Sequence, residues 1–231
     1  MIRHHEDPLF KEKKKPKGEI KFNLQLNEEQ KLAKELIINN TITILNGKAG
    51  SGKSTVAAQA ALDLLFRGEV EKIIITRALV TSGQEDVGYL PGSINDKMAP
   101  FTAPVYDNMY RLYQKEKIDK MLIDKQIEVI PLAFIRGRNF SNTIVIADEY
   151  QNMTSAQSEL ILTRICHGSK VVFSGDIDQC DLIKKHDSCV HFIQKNFKEV
   201  DDIAIIDLLQ NHRHPIVEKI LEIYHREHKS A

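Results

Sequence analysis

The ten residues Asn46-Gly47-Lys48-Ala49-Gly50-Ser51-Gly52-Lys53-Ser54-Thr55 carry the strongest chemical signal in the chain. Gly47, then four residues, then Gly52-Lys53-Ser54 is the pattern of a phosphate-binding loop. An apolar strand-like run, Thr41 to Leu45, precedes it and a helix-like run, Val56 to Phe66, follows, which is the context that pattern requires. Gly47, Gly50 and Gly52 let backbone N–H groups turn inward, and the helix adds its N-terminal partial positive charge to the same concavity. Residues 47 to 55 therefore read as the cradle of a nucleotide, with Lys53 reaching the β- and γ-phosphates and Ser54 Oγ a ligand for Mg²⁺.

A second chemical group lies downstream. Thr143-Ile144-Val145-Ile146-Ala147 reads as a buried strand ending in Asp148-Glu149. A carboxylate at such a tip can hold Mg²⁺ through water, and its neighbour can orient and polarise an attacking water. Asp148 and Glu149 take these roles, which favours hydrolysis over transfer to a small molecule. Gln179, beyond a further strand from Lys170 to Ser174, is placed to sense a γ-phosphate. Arg136 and Arg138 flank Gly137 and suit either a transferring phosphate or a nucleic-acid backbone. Arg77, at the end of a strand from Lys72 to Thr76, and Arg213 are further candidate phosphate contacts.

The elements that position these groups alternate between strand and helix, which argues for an α/β domain with a mainly parallel sheet flanked by helices. The first helix begins at Asn27 and carries Leu32, Ala33, Leu36 and Ile37 on one face. Gln30 has two readings there: it closes a capping box with Asn27, or its amide pairs with an adenine edge. Gly68 ends the loop helix. Residues 81 to 103 read as irregular, after which Pro104 opens a helix with Tyr106, Tyr110 and Tyr113 on one stripe, core rather than base-stacking. Thr154 and Gln157 cap a helix that runs to about Gly168. Strands follow at Ile127 to Pro131 and Ile203 to Leu208, and His214-Pro215 opens a last helix.

Lys+Arg and Asp+Glu both number 32 in 231 residues, so net charge points to no partner, and 42% hydrophobic residues suffice for a core. Residues 1 to 20, with Lys11, Lys13, Lys14, Lys15 and Lys17, read as a basic flexible tail, and 21 to 231 as one domain. Three cysteines suggest free thiols in a reducing, cytoplasmic compartment. No apolar run approaches the ~18 residues of a membrane span. Cys180, His186, Cys189 and His191 do not have a usual zinc spacing.

With these residues placed, the chain resembles the PhoH family of ATPases, related to the nucleotide-binding core of superfamily 1 helicases, over about residues 24 to 226. The motifs that carry the resemblance are residues 47 to 55, Thr76-Arg77, Gly88-Tyr89-Leu90-Pro91-Gly92, residues 131 to 138, Asp148 to Asn152, Gly175-Asp176 with Gln179, and Arg213-His214-Pro215. The resemblance implies a single RecA-like P-loop NTPase domain, with Gln30 as adenine reader and Gln151 and Gln179 as couplers to the γ-phosphate. Ala78 stands where the family usually has proline, Ser51 and Ser54 where it has threonine, and Tyr150 where it has alanine.

The expected function is Mg²⁺-dependent ATP hydrolysis coupled to single-stranded nucleic acid, RNA before DNA. One core cannot supply both walls of a helicase cleft, so a homo-oligomer, such as a hexameric ring, is expected to bring Arg136 or Arg138 to a neighbour's site. The alternatives are a nucleotide-dependent switch that binds a protein partner, and a small-molecule kinase.

Overall fold

The computed structural model describes residues 21–78, 94–182, 184–212, 216–217, 219–220 and 223, with backbone alone over 94–101. The basic tail, the motif at residues 88–92 and Arg213-His214-Pro215 lie outside the described residues.

Strands β1 (Ile42–Gly47), β2 (Lys72–Arg77), β3 (Ile127–Pro131), β4 (Thr143–Asp148), β5 (Lys170–Gly175) and β6 (Ile203–Leu208) form one sheet in the order β3-β2-β4-β5-β1-β6. Every pairing in it is parallel. A parallel sheet needs cover on both faces, which is why its strands read as unbroken apolar runs. Ile73, Ile75, Ile144 and Ile146 enter one core, and their neighbours Ile74, Val145 and Ala147 the other. β5 lies between β1, which carries the glycine loop, and β4, which carries the carboxylates. This is the RecA-like arrangement of an α/β domain.

Helices α1 (Glu28–Asn39), α2 (Lys53–Arg67), α3 (Ile94–Leu112) and α4 (Lys115–Ile123) cover the first face; α5 (Ser155–Leu162) and α6 (Cys189–Asn196) cover the second. α2 has no side-chain N-cap, and buries every residue from Val56 to Leu65. Each large apolar side chain so buried contributes ~1.5–3 kcal/mol, so packing holds α2 where it is. Gly68, in the left-handed conformation, closes its C-terminus as expected.

Three expectations are corrected. α3 starts at Ile94, so residues 94 to 103 are helical and Pro104 lies inside the helix. Pro104 costs the helix a hydrogen bond, about 3 kcal/mol, but Met109 and Leu112 are fully buried on the first core and offset it. α5 ends at Leu162, well before Gly168. The Thr163 hydroxyl takes the Glu159 carbonyl at 2.8 Å, and Phe140 then pairs with Arg164 and Cys166, which draws the chain out of the helix. α4 and α6 were not foreseen at all. α4 buries only Ile118, too little for a periodic signal.

Tyr110 and Tyr113 pack against the first core, Tyr113 with its ring centroid 4.8 Å from that of Phe66. Among the described residues no helix is long and apolar enough to cross a membrane.

Candidate functional site

All six strands point the same way, so their C-terminal ends share one edge, and the loops there build the site. β1 ends at Gly47, where a Cβ would stand 2.6 Å from Ser51 Oγ and 2.7 Å from the Leu208 carbonyl. Gly52 has φ of 88° and abuts the Gln30 amide. The loop therefore needs glycine at these positions for space as well as for backbone conformation. Lys53, nearly buried, reaches back across the loop and donates to the Gly47 carbonyl at 2.6 Å and the Lys48 carbonyl at 3.0 Å.

β4 brings Asp148 opposite this loop. Ser54 Oγ donates to Asp148 Oδ1 across 3.5 Å, and two hard oxygen donors facing each other suit a small hard cation such as Mg²⁺. Burial and the charge of Glu149 push the Asp148 pKa above the usual carboxylate value, while Arg77 and the Ser174 hydroxyl work against that rise. Glu149 has φ of 51°, a left-handed conformation rare outside glycine and found at functional sites. Its Oε2 accepts from Gln151 Nε2 at 2.7 Å, and its Oε1 lies 3.5 Å from the Arg77 guanidinium.

Gln151 is fully buried and joins three segments. Besides Glu149, its Nε2 donates to the Gln179 carbonyl at 3.1 Å, and its Oε1 accepts from the Asp176 N–H at 3.1 Å. Asp176 in turn accepts from the Ala49 N–H at 2.9 Å, so the tip of β5 is hydrogen-bonded directly to the glycine loop. The role of Asp176 was not foreseen, because an aspartate after a strand reads from sequence as an ordinary turn residue.

Lys53, Ser54, Asp148, Glu149, Asp176 and Gln179 all line one cavity of about 330 Å³. Arg77 lines it too, and so does Thr76, whose hydroxyl is buried without a partner among the described residues. Arg136 and Arg138 do not line it. Arg138 donates to Glu128 Oε2 at 3.1 Å and lies over the Phe140 ring, whereas Arg136 is exposed.

Gln30 forms the capping box: Asn27 Oδ1 accepts from the Gln30 N–H at 2.8 Å and Gln30 Oε1 from the Asn27 N–H at 3.2 Å. Gln30 Nε2 donates to the Ser51 carbonyl at 3.0 Å. Those bonds fix both amides, whose NH₂ groups meet His212 Nε2 at 3.2 Å each. That nitrogen must accept, which assigns the ring proton to Nδ1. Asn27, Gln30, Gly50, Arg111 and His212 border a second cavity of about 500 Å³, which adjoins the first and shares Gly50, Gly52, Thr55 and Asn108 with it. His212 was missed, since a lone histidine after a strand carries no signal.

The sequence profile of the PhoH-like protein family matches residues 24–225. The chain is 40% identical over 197 residues to a PhoH-like protein of Synechocystis sp., covering 84% of this chain and 60% of that protein. A PhoH-like protein of Bacillus subtilis is 38% identical over 183 residues, 78% of this chain and 57% of that one. Protein PhoH of Escherichia coli is 36% identical over 185 residues, 79% of this chain and 52% of that one. The chain thus spans between half and three fifths of the length of these relatives. Among solved structures, the Pif1 helicase from Candida albicans superposes with a TM-score of 0.43 at 14% identity, over 86% of this chain and 43% of that one. A Bacteroides Pif1 bound to ssDNA gives 0.40 at 19% identity, over 86% and 46%.

Proposed function

The chain belongs to the PhoH-like family, and from that premise we propose that it binds ATP with Mg²⁺ and hydrolyses it as a helicase-like ATPase coupled to single-stranded nucleic acid, RNA before DNA. One convergence supports hydrolysis above all: Lys53 and Ser54 of the loop, Asp148 and Glu149 of β4, and Gln179 beyond β5 line a single cavity. A loop of inward N–H groups with a lysine receives phosphates. Ser54 and Asp148 would hold Mg²⁺, which when bound neutralises charge developing on the β- and γ-phosphates. Glu149 polarises the attacking water, and Gln179 reports the γ-phosphate to Gln151 through its backbone.

The second cavity takes the base, with Gln30 reading adenine at the expense of one of its present bonds. A homo-oligomer, such as a hexameric ring, completes the site with an arginine. Arg136 is the better finger, because Arg138 is held by Glu128. Arg213 remains a candidate phosphate contact. Cys166, Cys180 and Cys189 are free thiols, which suits a reducing cytoplasm. A protein-binding switch is the second reading, favoured by exposed Leu209, Ile216, Ile220 and Ile223 near the C-terminus.

Steady-state ATPase assays with Mg²⁺, with and without single-stranded RNA, test the proposal. Glu149→Gln should keep ATP bound and lose roughly 10²- to 10⁴-fold in turnover. Lys53→Ala should lose binding itself, by roughly ten- to a hundredfold. Full turnover in either variant refutes the assignment, and stimulation by a protein fraction but not by RNA moves the reading to the switch.

A further inference from the structure

Both carboxylate oxygens of Glu149 are engaged, Oε2 by Gln151 at 2.7 Å and Oε1 by Arg77 at 3.5 Å. We infer that Arg77 couples partner binding to hydrolysis: at rest it competes with an attacking water for Glu149 Oε1, and a phosphate of single-stranded nucleic acid that engages Arg77 releases that oxygen. The inference rests on the nucleotide-site reading above and adds the regulation of that site.

The two holds on Glu149 are unequal. Gln151 is 1% exposed and fixed by the Asp176 N–H and the Gln179 carbonyl. It cannot leave without unravelling the tips of β4 and β5. Arg77 is the last residue of β2, its side chain 46% exposed. A long ion pair this open to water holds weakly, and a guanidinium makes a stronger, forked contact with a phosphate. Exchange of Glu149 for a phosphate is therefore favourable, and it frees Oε1 without disturbing the fold. The Gln151 hydrogen bond to Oε2 keeps the carboxylate in place once Arg77 has gone.

The setting favours a polyanion. Arg77 pairs in register with Pro131 of β3, at the C-terminal edge of the sheet, and its half-exposed guanidinium is open there to an anion arriving from solvent. A phosphodiester backbone offers such a guanidinium a fixed anion at every nucleotide.

The test compares wild type, Arg77→Gln and Lys53→Ala in steady-state ATPase assays at saturating Mg²⁺, with and without poly(U). Arg77→Gln should raise the polymer-free kcat about two- to fivefold, the range that an exposed ion pair can hold back. Poly(U) should add nothing further. A lowered basal rate, or stimulation by poly(U) equal to that of wild type, overturns the proposal. Should polyglutamate and not poly(U) stimulate wild type, with Arg77→Gln abolishing the effect, the partner is a protein carboxylate and the nucleic-acid assignment falls. Where Arg77→Gln does not fold, Arg77→Met, which also removes the charge and keeps an apolar stem, carries the same comparison. Turnover that survives in Lys53→Ala would sink the nucleotide-site reading itself. Turnover lost there with Arg77→Gln indistinguishable from wild type would sink the coupling alone.

Discussion

The Tyr150 hydroxyl donates to Asn46 Oδ1 at 2.6 Å, and both residues are buried. Asn46 immediately precedes the glycine loop and Tyr150 immediately follows Glu149, so one hydrogen bond spans the two halves of the candidate site. Asn46 passes the tie on, its Nδ2 donating to Asp207 Oδ1 at 2.8 Å. The tips of β4, β1 and β6 are thereby joined although β5 separates β4 from β1. Where relatives are expected to carry alanine, this chain has a buried phenol that locks the edge of its sheet.

Tyr150→Phe should therefore destabilise the protein by about 1–3 kcal/mol, because Asn46 Oδ1 is left buried without its donor. Tyr150→Ala should cost more, about 3–5 kcal/mol, since the ring also packs edge-on to Phe173 and its loss opens a cavity. Urea denaturation of the two variants measures the difference. Equal midpoints for wild type and Tyr150→Phe would mean that the hydroxyl contributes nothing.

Much of this architecture was legible in the sequence. The strands Ile127 to Pro131 and Ile203 to Leu208 match to the residue although they are the half-buried edges of the sheet, because each is a short apolar run with sharp ends. Asn27-x-x-Gln30 and Thr154-x-x-Gln157 announced two helix starts, and both capping boxes form. What was not legible came from contacts distant in sequence. Nothing local shows that Asp176 reaches Ala49, that His212 docks on Gln30, or that Arg138 turns back onto Glu128. Prolines misled at α3, where tertiary burial overrode a local stop signal.

Gly175→Ala tests how tightly the site is packed. A Cβ at that position would lie 2.7 Å from the Tyr150 ring and against the Gln151 amide oxygen. Gln151 would have to move, and with it the hold on Glu149. The expected outcome is a loss of about 1–3 kcal/mol in stability from overpacking, together with an altered turnover number at unchanged folding when temperature is lowered. A variant as stable and active as wild type would show that Gln151 has room to spare.

Asn27→Ala removes the N-cap of α1 and, with it, contacts to Gln210 at 2.8 Å and His212 at 3.2 Å. Loss of the cap alone costs about 1 kcal/mol. The His212 backbone N–H also donates to the Gly50 carbonyl at 3.1 Å, so release of the residue from Asn27 should loosen the glycine loop. Asn27→Ser, which retains a capping oxygen but cannot reach both partners, should recover most of the stability and little of any lost nucleotide affinity. Calorimetric titration with ATP beside thermal melts separates the two effects, and full recovery of affinity by serine would assign Asn27 to the cap only.

Asp148 gives the protein a pH dependence of definite sign. Burial and Glu149 raise its pKa above the ordinary aspartate value, so the folded chain holds this proton more tightly than the unfolded chain. Its contribution to stability is present below about the unfolded value and is lost as pH rises through the folded one. At neutral pH the ionised carboxylate is thus a destabilising element, kept because a metal ligand must be charged. Asp148→Asn should raise the melting temperature of the metal-free protein at pH 7 and abolish Mg²⁺-dependent turnover. Glu128, which Lys72 and Arg138 lower against the opposing pull of burial, titrates with the opposite sign, so the difference between wild type and Asp148→Asn isolates the one group. Turnover of the wild type should fall on acidification as Asp148 takes its proton. Arg77→Gln removes a charge that favours the ionised form, and should move that acid limb to higher pH. A limb that stays put in Arg77→Gln, or a variant Asp148→Asn that melts below wild type, would mean that the carboxylate is stabilised by its surroundings and that the cation site has been placed wrongly.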